Sequence, residues 1–120
     1  MPMRGISMHE MAIAEGILDI ALDYGAKNEA SRIREVGLRI GAMSGVEAEA
    51  LEFAFRIISK GTTAEGALLK IAHIPLVGRC SKCGREFPLE NYNFWCPDCK
   101  DGVLALISGR ELQVEYLEVD

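Results

Sequence analysis

Apolar positions in this chain recur with two different periods. Met11, Ile13, Ala14, Ile17, Leu18, Ile20, Ala21, Leu22 and Tyr24 cover a broad arc of a helical wheel, and Ala12, Glu15, Gly16, Asp19 and Asp23 fall opposite, which predicts an amphipathic helix. Ser7 and Glu10 have the S-x-x-E spacing of a capping box at its start, and Gly25 is the expected stop. From Val36 to Ile40 the period drops to two, with Val36, Leu38 and Ile40 on one side and Gly37 and Arg39 on the other, so a half-buried strand is expected. Gly41 to Gly45 turns the chain. Ser44 and Glu47 repeat the capping spacing, and Leu51, Ala54, Phe55, Ile57 and Ile58 form the stripe of a second helix from about Val46 to Ser59, ended by Gly61. Ala67 to Ile74 reads as a second strand carrying Leu69, Ile71 and His73 on one face and closed by Pro75; Leu112, Val114 and Tyr116, alternating with Glu111, Gln113 and Glu115, make a third.

Between the last two strands the periodicity gives way to a different organiser. All four cysteines of the 120-residue chain lie there, as Cys80-Ser-Lys-Cys83 and Cys96-Pro-Asp-Cys99. Two intervening residues let one tight knuckle aim both sulfurs at a single cation, and two knuckles complete a tetrahedron. Gly84 supplies the permissive backbone that such a turn requires. Disulfides would need an oxidising compartment, and a redox Cys-x-x-Cys would occur once, at a helix start. A structural zinc is the reading, with iron in the same cage as the alternative. Four protein ligands leave no open position, so a metal held there stabilises and does not activate water. The expected fold class is α+β: two helices on a three-stranded sheet with an inserted four-cysteine zinc-ribbon module on two short hinges. Residues 1–75 plus 105–120 would form the main domain and residues 76–104 the ribbon.

Charge narrows the function. A formal net charge of −5 argues against a general nucleic-acid binder. Arg79, Lys82, Arg85 and Lys100 gather near the knuckles, but Glu86, Glu90 and Asp98 are interleaved, so these cations are read as offsetting thiolate charge. Glu15 and Asp19 interrupt the apolar run from Met11 to Leu22, which excludes a signal-peptide core or a membrane span and points to a cytoplasmic protein. No nucleotide-binding or hydrolytic motif is present, and the cysteines are taken by metal, so no enzyme is expected. Of the two histidines, His73 is expected to be a partly buried or edge-packed strand residue. His9, in Met8-His9-Glu10, stands where backbone N–H groups are not yet committed to helical bonds.

Met8-His9-Glu10 opening a helix, Leu38-Arg-Ile-Gly-Ala-Met-Ser-Gly45 leading into Glu52-Phe-Ala-Phe55, Gly61-Thr-Thr-Ala-Glu-Gly66, the double Cys-x-x-Cys and Ser108-Gly-Arg-Glu-Leu112 occur in order. Together they resemble the HypA/HybF family, nickel chaperones of [NiFe]-hydrogenase maturation. The resemblance implies a transient Ni(II) site at Met8, His9 and Glu10 and a separate structural Zn(II) on Cys80, Cys83, Cys96 and Cys99. It also implies work with a maturation GTPase that helps deliver nickel to the hydrogenase large subunit, and in some organisms a role toward urease maturation proteins. A terminus starting at Met8 would offer an amine, the His9 backbone nitrogen and the imidazole in fused chelate rings, a donor set suited to square-planar Ni(II), with the Glu10 backbone nitrogen as the candidate fourth donor. Family members begin at this methionine, whereas Met1 to Ser7 precede it here. With those residues present, Ser7 and Glu10 capping the helix is the competing reading of the segment. The other functional class is a zinc-ribbon protein-interaction adaptor without nickel function.

Overall fold

The computed structural model describes residues 8–89 and 93–120. The element order is α1 (Met8–Lys27), β1 (Ile33–Gly41), a short 3-10 turn (Ala42–Ser44), α2 (Ala48–Ile58), β2 (Leu68–Ile74), β3 (Val77–Cys80), β4 (Glu86–Pro88), β5 (Leu104–Ser108) and β6 (Leu112–Val119). Two three-stranded sheets result, with orders β2-β1-β6 and β4-β3-β5. The chain forms two compact units: one comprises the chain up to Arg39, Val46–Ala72 and Gln113–Asp120, the other Ile40–Gly45 and His73–Leu112.

In the first unit, α1 and α2 pack together. Ala14, Ile17, Leu18 and Ala21 of α1, Leu51, Ala54 and Phe55 of α2, and Ile33, Val36 and Leu38 of β1 are buried. The helical stripes and the strand alternation therefore meet as amphipathic patterning requires. Ile20 and Tyr24, expected within the buried arc, are instead 42% and 55% exposed.

The helix ends depart from the local signals. α1 runs past Gly25, which is buried: a Cβ there would lie 3.2 Å from Ile33 Cδ1, so this glycine serves close approach of β1 and not termination. Termination comes from Glu29 at φ 54°, with the Ala30 N–H donating to the Gly25 carbonyl and the Glu29 N–H to the Ala26 carbonyl. This is a Schellman arrangement with a non-glycine left-handed residue. Ser7, half of the first capping pair, lies outside the described residues. The second capping pair does not form as expected. The N-cap of α2 is Glu47, its side chain makes no capping bond, and Ser44 ends the preceding 3-10 turn.

In the second unit, β3 pairs antiparallel with β4 (Gly78 opposite Phe87) and with β5 (Cys80 opposite Leu104). β5 extends the ribbon to Ser108, a strand the sequence reading did not anticipate because Ala105 and Ile107 project outward while Leu104 alone is fully buried. Leu89 and Leu104 join Cys80 and Cys96 in the core, with Phe87 and Phe94 packed against it. So few apolar residues make a marginal core on their own. The turn after β1 is held within this unit, since the Gly41 N–H donates to the Glu111 carbonyl and the Met43 N–H to the Gly109 carbonyl, each at 2.7 Å. A Cβ at Gly41 would stand 2.1 Å from the Gly109 backbone, so only glycine allows this approach. His73 is exposed on β2, contrary to its expected packing beside Leu69, because the burial of this strand fades toward its C-terminal end. No helix among the described residues is long and apolar enough to cross a membrane.

Candidate metal centres

The four cysteine sulfurs lie within 4.8 Å of one another. Cys80 Sγ is 3.5 Å from Cys99 Sγ, and Cys83 Sγ is 3.8 Å from Cys96 Sγ. A tetrahedron with metal–sulfur bonds of about 2.3 Å has sulfur–sulfur edges of about 3.8 Å, so the cluster has the dimensions of a thiolate cage for zinc. None of the four is in a disulfide.

Each knuckle is a local backbone device. In the first, the Lys82 and Cys83 N–H groups donate to Cys80 Sγ at 3.3 and 3.4 Å, the Gly84 N–H returns to the Cys80 carbonyl, and Gly84 takes φ 74°. In the second, the Cys99 N–H donates to Cys96 Sγ at 3.5 Å, the Lys100 N–H returns to the Cys96 carbonyl, and Lys100 takes φ 60°. The two knuckles thus share one conformation, with glycine at the left-handed position in only one of them. Gly102 completes the enclosure: a Cβ there would fall 2.2 Å from Cys80 Sγ. The sequence reading missed Gly102, whose only signal was a glycine three residues after the last ligand.

The electrostatics suit thiolates. The Cys83 N–H pointing at Cys80 Sγ leads the effects that bring this thiol down to about 6, against the opposing cost of burial; the Lys82 N–H adds to the lowering. For Cys83, the Arg85 N–H pulls the thiol down, but desolvation, hydrogen bonding to Cys80 and Cys96 and the Cys80 charge together push it up to about 11. A lowered Cys80 beside a raised Cys83 is the electrostatics of crowded sulfurs, and a divalent ion among them would favour the thiolate form. The interleaved charges pair, Arg79 with Glu86 at 2.5 Å and Arg85 with Asp98. Glu90 lies outside the described residues.

At the other expected site, Met8 opens α1, His9 is exposed, and Glu10 is buried at 5% exposure. Glu10 Oε2 accepts the Glu47 N–H at 3.1 Å, at the N-terminus of α2. A carboxylate there satisfies an orphan donor and meets the positive end of the helix dipole. His9 and Glu10 therefore part company: one side chain faces solvent, while the other is spent on holding two helices together. The long-range role of Glu10 carried no sequence signal, because its partner is 37 residues away.

The comparisons with known proteins agree on one family. The HypA family, described as hydrogenase/urease nickel incorporation metallochaperones, matches residues 8–119. A hydrogenase maturation factor HypA from Dechloromonas aromatica is 36% identical over 94% of this chain and its own full length, and one from Geotalea daltonii is 40% identical over 93% of this chain and 99% of its own. The fold matches a solution structure of HypA with a TM-score of 0.72 at 23% identity, covering 94% of this chain and 97% of that one. It also matches the solution structure of the Ni metallochaperone HypA from Helicobacter pylori, with a TM-score of 0.64 at 20% identity, covering 92% and 96%. With the motifs in order from Met8, the cysteine cage formed and near-complete coverage in both directions, this chain belongs to the HypA family of nickel-incorporation metallochaperones.

Proposed function

We propose that this chain carries Ni(II) at Met8, His9 and Glu10 for delivery during [NiFe]-hydrogenase maturation, while a zinc ion on Cys80, Cys83, Cys96 and Cys99 holds the ribbon. The observation that carries the nickel assignment is the exposed His9 imidazole at the first turn of α1, the turn whose backbone N–H groups have no acceptor within the helix itself. Nickel is the cargo. An exposed helix end exchanges a metal readily, whereas the thiolate cage surrounds its ion with sulfur and retains it. Glu10 fits this reading through its backbone nitrogen, since its carboxylate is engaged at Glu47.

The chain then works as a carrier without catalytic turnover, in the cytoplasm, where thiols stay reduced. Its partners are a maturation GTPase and the hydrogenase large subunit, with urease maturation proteins in organisms that use both pathways. The zinc-ribbon adaptor reading requires no nickel at all, which makes metal binding the discriminating measurement. Titration of zinc-loaded protein with Ni(II), followed by calorimetry and metal analysis, is expected to show one equivalent lost in His9→Ala and retained in His73→Ala. Nickel that follows His73 and ignores His9 would overturn the assignment, and the absence of specific nickel binding to the parent protein would favour the adaptor.

A further inference from the structure

Ile20 and Tyr24, four residues apart on α1, line a groove of about 530 Å³ with Val114, Tyr116, Leu117 and Val119 of β6. All belong to the first compact unit. β6 is the outer strand of its sheet, so among the described residues no further strand covers its free edge. Exposure of Ile20 and Tyr24 at 42% and 55%, with Tyr116 at 39%, leaves one contiguous apolar surface beside an open strand. Clustered aromatic and aliphatic side chains of this kind mark protein contacts.

On the elements that form and flank the groove, acidic residues outnumber basic ones. On α1, β1 and β6 the Lys and Arg residues are Lys27, Arg34 and Arg39, and each is already held, by Asp23 at 3.1 Å, Asp120 at 2.8 Å and Glu115 at 3.6 Å. Lys27 also lies over the Tyr24 ring. Glu15, Asp19, Glu35 and Glu118 on the same elements have no cation partner among the described residues. Tyr116 senses this field: its hydroxyl donates to Glu35, and that bond, followed by desolvation and the charges of Glu35, Glu118 and Glu115, pushes the phenol up to about 12.

We propose that the groove between α1 and β6 docks a partner-protein segment that places aliphatic or aromatic side chains against Ile20, Tyr24 and Val114 and pairs flanking Lys or Arg residues with Asp19, Glu35 and Glu118. Charge complementarity selects this occupant. A second copy of the chain, at net charge −5, would bring the same acidic rim against itself. The groove lies along α1 beyond its first three turns, and His9 is not among the residues that line it. The inference does not depend on nickel being bound there.

The test is selection of displayed 12-residue peptides against the full zinc-loaded chain, followed by synthesis of the enriched sequences. Enriched peptides are expected to combine apolar anchors with Lys or Arg and to perturb the amide resonances of residues 20–28 and 114–119. Binding should weaken at least about tenfold in Ile20→Ala/Tyr24→Ala, and several-fold in Asp19→Asn/Glu118→Gln or between about 50 and 500 mM salt. Both double variants should keep the parent's circular dichroism and nickel stoichiometry, since the altered side chains are outside the core. Failure to enrich any sequence, enrichment of acidic or uncharged peptides, or binding indifferent to these variants would overturn the proposal. So would concentration-dependent self-association mapped to the same resonances, which would make the occupant a second copy.

Discussion

Removing the Glu10 side chain tests how the structure joins its first turn to the rest of the molecule. Glu10→Ala deletes the acceptor for the Glu47 N–H, at a helix start whose own side chain supplies no cap. Loss of a capping acceptor costs about 0.5–2 kcal/mol. Loss of a negative charge at the positive helix end adds about 0.3–1 kcal/mol. The expected destabilisation is therefore about 1–3 kcal/mol, and at about 4–8 °C per kcal/mol for a domain of this size the midpoint falls by roughly 10 °C. Glu10→Gln keeps a carbonyl oxygen in the same place and gives up the charge, so it should lose only about 0.3–1 kcal/mol. Urea unfolding of zinc-loaded protein, monitored by far-ultraviolet circular dichroism, measures both differences. Hydrogen exchange at the Glu47 amide localises them, with faster exchange in Ala than in Gln. An Ala variant as stable as the parent would refute the anchoring role, and a Gln variant as damaged as Ala would show that charge and not the acceptor does the holding. Nickel titration separates anchoring from ligation: Glu10→Gln should retain one nickel equivalent, because the proposed donor is the backbone nitrogen. Loss of nickel from a stable Gln variant would place the carboxylate among the ligands.

Three other perturbations follow from particular contacts. Gly102→Ala should cut zinc content and loosen the ribbon although every ligand remains, because its Cβ would stand 2.2 Å from Cys80 Sγ; full zinc occupancy with an unchanged ribbon spectrum would contradict the close packing of the cage. A chain beginning at Met8 should bind Ni(II) more tightly than the full chain, since it adds a free amine where the longer form has an amide that must be deprotonated. Calorimetry of the two forms decides this, and equal affinities with identical ligand spectra would eliminate the amine as a donor. One of the three tyrosines should ionise near pH 12 by ultraviolet titration, and Glu35→Gln should bring that transition down. A phenol whose folded pKa is raised favours the folded state below its ordinary value of about 10 and loses that contribution as pH rises through about 12, so the alkaline limb of stability should lie in this window. Three coincident transitions near pH 10 would contradict the Glu35 bond.

Spacing along the chain was enough for whatever depends on neighbours in sequence. The helical stripe that buries Ala14, Ile17, Leu18 and Ala21, the alternation of β1, and the clustering of the four cysteines are all legible because period and knuckle geometry are set within a few residues. Gly84 could be assigned its turn for the same reason. The rest depended on which distant segments meet. Gly25 looked like a helix stop and is a contact surface for Ile33, while Glu29 terminates the helix through backbone bonds that no residue type announces. Glu10 was nominated only for the start of its own helix, whereas the fold also brings its carboxylate to the Glu47 N–H of the next one, and Gly102 became indispensable only when the fold brought it against Cys80. Burial and hydrogen-bond satisfaction are properties of three-dimensional neighbours, so a local pattern can nominate a residue but the tertiary fold decides what that residue must do.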